Sequence, residues 1–238
     1  MNFRIIAYII GWVCNFQAAF MLLPAVTAMI YREKDFFAFL ISMVICLAVG
    51  IPLTLRKPKN KVFYIKDGCV AVALSWIALC ITGALPFWLT SSIPHPIDAL
   101  FETVSGFTTT GASILTDVEV LPHSVLIWRS FTHWIGGMGV LVFLLSLLPL
   151  TGGYHMNLMK AESPGPSVSK LVPKVQSTAK ILYTIYIGMT LLQMILLLIG
   201  RVPLFDTLCI SFGTAGTGGF GIKNDSMGSY STYCQIVT

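Results

Sequence analysis

Thr109-Thr110-Gly111-Ala112 and Thr217-Gly218-Gly219-Phe220 each set unhindered backbone carbonyls beside threonine hydroxyls. That chemistry suits a bare monovalent cation, which on leaving water needs several oxygens in place of its hydration shell. Glycine reaches dihedrals that turn neighbouring carbonyls toward one axis, and threonine adds a hydroxyl oxygen. The two stretches are copies of one pattern. Asp98, Leu100, Thr109, Gly111, Ile114 and Asp117 recur 108 positions later as Asp206, Leu208, Thr217, Gly219, Ile222 and Asp225. Each copy follows a long apolar segment and a proline, Pro96 or Pro203. A repeated short helix and polar loop among membrane spans is one way to line an ion path with oxygens.

The helices that present these loops are too short to cross a bilayer. Thr103 to Thr116 is free of charge for 14 residues and Thr207 to Ile222 for 16, whereas a span takes about 20. The pattern predicts short helices at 98–108 and 206–215, with loops at 109–117 and 216–225, that dip into the membrane and return. Irregular backbone at membrane depth is tolerated only against water or packed protein. The C-terminal end of each short helix would aim its partial negative charge at the loop. Asp98 and Asp206, at the opposite ends, read as caps. Asp117 and Asp225 follow the loops; they either concentrate cations at an outer mouth or are plain solvated acids.

The rest of the chain reads as membrane protein. Hydrophobic residues make up 55% and charged residues 11%, against about a quarter charged in soluble domains. Uncharged stretches of 27, 20, 30, 30 and 20 residues lie at 5–31, 36–55, 68–97, 130–159 and 181–200, enough for five spans. A sixth begins near Tyr230. The expected fold is therefore all-α: a transmembrane hairpin and basic loop (1–67), a first span–pore-helix–span unit (68–150), a cytoplasmic linker (151–180) and a second unit (181–238) cut off within its last span. With the N-terminus in the cytoplasm, the inner side holds ten basic residues and two acids, and the outer side five and eight. This is the positive-inside asymmetry, which assigns the net charge of +5 to topology and membrane-lipid contact rather than to nucleic acid. The first apolar stretch is too long for a signal peptide and reads as a retained anchor. The six cysteines lack metal-ligand or redox spacing and read as small buried hydrophobes.

Within the fourth span, Gly136, Gly137 and Gly139 either permit close helix packing or form a candidate hinge near the pore. His133 reads as a hydrogen-bonded packing residue and Arg129 as an anchor at the outer interface. Phe87, Trp88 and Trp128 suit an interfacial belt. Gly216-Thr217-Gly218-Gly219-Phe220-Gly221 matches a dinucleotide fingerprint, but neither a preceding strand nor an acid about 20 residues on is available.

In order along the chain, Ser105 to Ala112 (SGFTTTGA), His133 to Gly139 (HWIGGMG), Lys160 to Pro166 (KAESPGP) and Gly218-Gly219-Phe220 resemble the Trk/Ktr/HKT superfamily of cation transporters, most closely its TrkH-type membrane subunits. The resemblance covers essentially all 238 residues. It implies four span–pore-helix–span units around one pore in a bacterial inner membrane, of which this chain holds two. It also implies potassium import down the electrochemical gradient, with no cofactor beyond the transported ion. A TrkA-like cytoplasmic nucleotide-binding ring as regulator and assembly as a homodimer follow from the same likeness. Gly111 and Gly219 would be filter glycines, with Thr109, Thr110, Ala112, Thr217, Gly218 and Phe220 beside them; potassium would be held at Thr110, Gly111, Gly219 and Phe220. The expectation is the amino-terminal half of such a transporter. A multi-span membrane enzyme built on His133 and nearby acids, and a non-conducting fragment, are the alternatives.

Overall fold

Apolar residues in runs of twenty or more have one stable answer in lipid, the helix, because it satisfies its own backbone. The computed structural model describes residues 2–56, 58, 64–139 and 175–238, and there the regular elements are all helices. In chain order they are α1 (Phe3–Phe20), α2 (Leu22–Ile30), α3 (Phe36–Leu55), α4 (Ile65–Leu89), α5 (Pro96–Phe107), α6 (His123–Gly137), α7 (Val175–Ile199), α8 (Leu204–Ala215) and α9 (Thr232–Val237). Among the described residues, four segments are long and apolar enough to span a membrane: Phe3–Ile30, Phe36–Leu55, Lys66–Leu89 and Ala179–Ile199. The expected fourth span is described only to Gly139; of the expected linker at 151–180, residues 151–174 lie outside the described residues and 175–180 belong to α7, because the apolar helix continues through them.

The first span is two helices, α1 and α2, meeting at Met21. Pro24 has no N–H to give the carbonyl of Phe20, so the ladder is interrupted one turn before it. The turn Arg32–Asp35 then reverses the chain into α3, which packs along α1. Helix α4 lies against α1 and α5. Its first turn is held by Asp67, which accepts from the N–H groups of Tyr64 (3.1 Å) and Asn2 (3.2 Å). Deeper in, Gln17 of α1 donates to the Leu79 carbonyl at 3.0 Å and accepts from the Thr82 hydroxyl at 2.6 Å. A buried amide is thereby satisfied at both ends.

At the centre stands Trp128 of α6, fully buried, its indole N–H donating to the Gly83 carbonyl of α4 at 3.0 Å. Its ring meets Phe107 of α5 edge-on at 6.3 Å. Gly83 itself faces the Phe107 ring and the Gln17 amide so closely that any side chain there would displace them. Four helices therefore converge on one point. Trp128 and Phe87 are core residues, not belt residues; only Trp88 of that trio is exposed. Five of the six cysteines are buried and all six are free, with Cys69 the exposed one.

The turn after α2 is pinned to the rest of the molecule. Glu33 accepts from the backbone N–H groups of His123 (2.7 Å) and Ser124 (3.0 Å), closing the N-terminus of α6. Tyr31 stacks on the His123 ring at 3.9 Å, and Phe205 of α8 packs edge-on against both. Burial pushes the Glu33 carboxyl up, but the bonds from Ser124 and His123 outweigh it and leave it below its ordinary 4.5. A lowered carboxylate stabilises the fold above its ordinary value, and that contribution disappears as pH falls through the lowered one. Carboxylate bonds at a helix N-terminus are worth about 1 kcal/mol. E33Q is therefore expected to lower the thermal midpoint of detergent-solubilised protein by a few degrees at pH 7, with the deficit shrinking as pH falls below 4.5 toward the lowered value; tryptophan-fluorescence melts across that range check this.

Candidate functional site

The two short helices end in the same way. In α5, the Thr108 N–H bonds to the Val104 carbonyl, Thr109 to Gly106 and Thr110 to Ser105, at 2.9, 3.1 and 2.9 Å. In α8, Gly216 bonds to Phe212, Thr217 to Thr214 and Gly218 to Gly213, at 3.0, 2.9 and 3.0 Å. This is the Schellman cap, written twice with a left-handed residue just past the helix. That residue is Thr109 in one copy and Thr217 in the other, both at φ 55°. Two positions later the backbone turns left-handed again, at Gly111 (φ 75°) and Gly219 (φ 84°). Glycine is needed there, because an L side chain at positive φ costs roughly 1–2 kcal/mol. Asp98 and Asp206 sit in the first turns of α5 and α8, where they favour the dipole, but neither makes the capping bond expected of it. Asp206 accepts the Tyr230 hydroxyl instead, at 2.8 Å.

The two loops meet. A Cβ on Gly111 would run into the Gly218 carbonyl oxygen, whereas the space beside Gly219 is open for 4 Å. Thr110, Ala112, Thr217 and Gly219 are exposed, Thr109 and Gly111 half-buried, and Gly218 and Phe220 buried. The Thr108 hydroxyl gives its proton to the Val104 carbonyl and lies 2.8 Å from the Thr110 hydroxyl. Thr110 is then the donor of that pair, and its remaining lone pairs are free to accept.

Behind the loops lies a pair of buried charges. Arg129 of α6 is 3% exposed and Glu102 of α5 fully buried, with Nε donating to Oε1 at 2.6 Å. Glu102 also accepts from the Ser113 hydroxyl, at 3.0 and 3.1 Å to its two oxygens, and from the Ile114 N–H at 3.0 Å. Arg129 Nη1 donates to the Gly221 carbonyl at 2.8 Å, and the guanidinium lies 3.7 Å from the centre of the Phe220 ring. His133 stacks on Phe220 at 4.0 Å. Arg129 is thus no outer anchor: it holds the second loop while its partner holds the first. His133 packs as expected, against Phe220 and Gly218, but its ring nitrogens have no hydrogen-bond partner among the described residues.

Helix α6 presses on both short helices through its glycines. A side chain on Gly136 would strike the Phe107 carbonyl, and one on Gly137 would meet Gly216 Cα at 2.8 Å and the Tyr186 hydroxyl at 2.7 Å. Gly139 lies beyond the helix end, at φ 72°, with its carbonyl accepting from Tyr183 at 3.1 Å.

Residues 35–238 match the family model described as TrkH, cation transport protein. The chain belongs to the TrkH cation transport family. It is 35% identical over 234 residues to the Trk system potassium uptake protein TrkG of Escherichia coli K12, covering 97% of this chain and 48% of that protein. It is 37% identical over 233 residues to the TrkH potassium uptake protein of Salmonella typhimurium, with the same coverage. The crystal structure of the potassium transporter TrkH from Vibrio parahaemolyticus superimposes with a TM-score of 0.83 at 29% identity, covering 100% of this chain and 48% of that one. The chain spans about half the length of the curated relatives it matches. The family is one of cation transporters, not of enzymes.

Within this TrkH-family chain, the acids that follow the loops are bound up more than their sequence positions suggest. Asp117 accepts from the Asn224 side chain at 2.8 Å and from the Glu119 N–H at 3.0 Å. Asn224 in turn accepts from the Val118 N–H at 2.8 Å and donates its own N–H to Glu119 at 3.1 Å. Asp225 accepts from Ser229 at 3.0 Å. Asn224 and Glu102 are residues that sequence reasoning passed over, and Arg129 is one whose role it misassigned. A lone opposite charge in each of two apolar segments of one unit was the available signal for the last two.

The glycine contacts give a direct check. G136A forces a methyl group against backbone and is expected to cost about 1–3 kcal/mol. Gly188 of α7 has open space around it, so G188A gains roughly the helix propensity of alanine, up to about 1 kcal/mol. Thermal midpoints in detergent are expected to move in opposite directions for the two variants.

Proposed function

We propose that this chain supplies the amino-terminal half of a potassium uptake transporter, and that the two loops form half of its selectivity filter. The observation that carries this reading is the matched pair of left-handed residues, Thr109/Gly111 and Thr217/Gly219, in loops that touch. Left-handed residues two positions apart bring carbonyls of the loop round toward one side, where they replace a cation's water. Potassium is held by oxygens at Thr110, Gly111, Gly219 and Phe220, with Thr109, Ala112, Thr217 and Gly218 shaping the loops. The free lone pairs of Thr110 add a hydroxyl ligand.

Two further loops, from the other half of the protein, complete the ring of oxygens; the half-length match to the potassium uptake proteins supports this. The short helices are re-entrant, with their C-terminal ends directing negative potential at the ion. The protein sits as a multi-pass protein in a bacterial inner membrane with its N-terminus in the cytoplasm, as the basic loops indicate. Asp117 and Asp225 remain exposed and concentrate cations at the outer mouth. Gly136 and Gly137 fix α6 to the short helices, and the left-handed Gly139 is the hinge of that segment. A cytoplasmic nucleotide-binding ring gates the pore, and the transporter works as a homodimer in lipid.

G111S and G219S, made in the intact transporter, test the filter. A side chain at either glycine strains the backbone by about 1–2 kcal/mol, and rubidium-over-sodium selectivity is expected to fall about tenfold. Tracer uptake in potassium-uptake-deficient cells reads it. Wild-type uptake and selectivity in both variants would exclude the loops as the filter.

A further inference from the structure

We propose that the buried Glu102–Arg129 pair is a specificity-determining clamp that sets the spacing of the two loops and thereby the discrimination between potassium and sodium. The inference rests on the reading of the loops as a filter. Neither residue offers an oxygen to the ion; both act through the loops they hold.

The argument is geometric. Glu102 has two partners besides the guanidinium: the hydroxyl of Ser113, directly after Ala112, lies within reach of both its oxygens, and the Ile114 N–H donates to one of them. Arg129 holds the Gly221 carbonyl, directly after Phe220, and lies on the Phe220 ring. A single ion pair of 2.6 Å therefore links the outer end of one loop to the outer end of the other. Selectivity between two ions that differ in radius depends on how far apart opposing oxygens are kept, or on how stiffly. A clamp out of water is stiff, because leaving any of its bonds unmade carries the full desolvation cost. The second copy of the repeat carries Ile210 where the first has Glu102, so one pair serves both loops and has no duplicate.

Arginine is specific to this task. Its planar fork reaches Glu102 through Nε and Gly221 through Nη1 while its face covers Phe220; lysine keeps the charge but cannot do all three. R129K in the intact transporter is therefore expected to lower rubidium-over-sodium selectivity about tenfold, the weight of one charge-assisted hydrogen bond, with the amount of folded protein kept within a factor of about two. S113A removes one bond to Glu102 at an exposed position and serves if R129K does not fold; its selectivity is expected to fall about threefold. Readouts are the KM for rubidium, the sodium concentration that halves uptake, and the folded amount by fluorescence-detected gel filtration, with G111S and G219S in parallel. Reduced folded protein or maximal rate at unchanged ion ratio in both R129K and S113A would overturn the clamp and leave a purely structural pair. If the glycine variants shift the ratio while these two do not, the clamp alone fails. Should the glycine variants also leave it unchanged, the filter reading fails with it.

Discussion

Two charges taken out of water survive only when each finds a full set of partners. Glu102 and Arg129 find their partners in each other and in both loops. The carboxylate takes Ser113 and Ile114 from one, and the guanidinium takes the Gly221 carbonyl and the Phe220 ring from the other. The loops carry no helix or sheet ladder of their own at this point, so their course is set by what they bond to. Helices α5 and α6 are held in turn, since the pair sits between them. The packed glycines of α6 and the Trp128 contact to Gly83 let those helices come close enough for the pair to form.

The repeat makes the arrangement legible. Equal spacing of aspartate, threonine and glycine in two places predicted two short helices and two loops, and both stand within two residues of the expected bounds. The left-handed residues fall at the same relative positions in each copy. Helices α3 and α7 matched their apolar runs closely, α7 beginning six residues early, because nothing in such a run competes with helix. What could not be read was the company each polar residue keeps. Arg129 lies 27 positions from Glu102 and 92 from Gly221, and hydropathy places such a residue at an interface by default. Trp128 failed for the same reason: an indole is at home in a belt or in a core with an acceptor, and the acceptor was on another helix. Asn224 and Asp117 are 107 positions apart.

The copies are not equivalent in what they contribute. Ala112 and Phe220 occupy matched positions, yet only the phenylalanine fills the space between Arg129 and His133. Ile210 stands where Glu102 would be repeated. A duplicated scaffold thus keeps its backbone geometry while its side chains divide the labour: one copy supplies the anion, the other the aromatic face and the carbonyl. Divergence of this kind is what duplicated units permit once backbone hydrogen bonds fix the shape without help from the side chains.

Glu33 is synthesised 90 residues before the N–H groups that it accepts from. A nascent chain threads into the bilayer in sequence order, so the first hairpin has its turn and its acid in place long before α6 exists. That corner is complete only when two later helices are in place, since His123 of α6 and Phe205 of α8 supply its remaining faces.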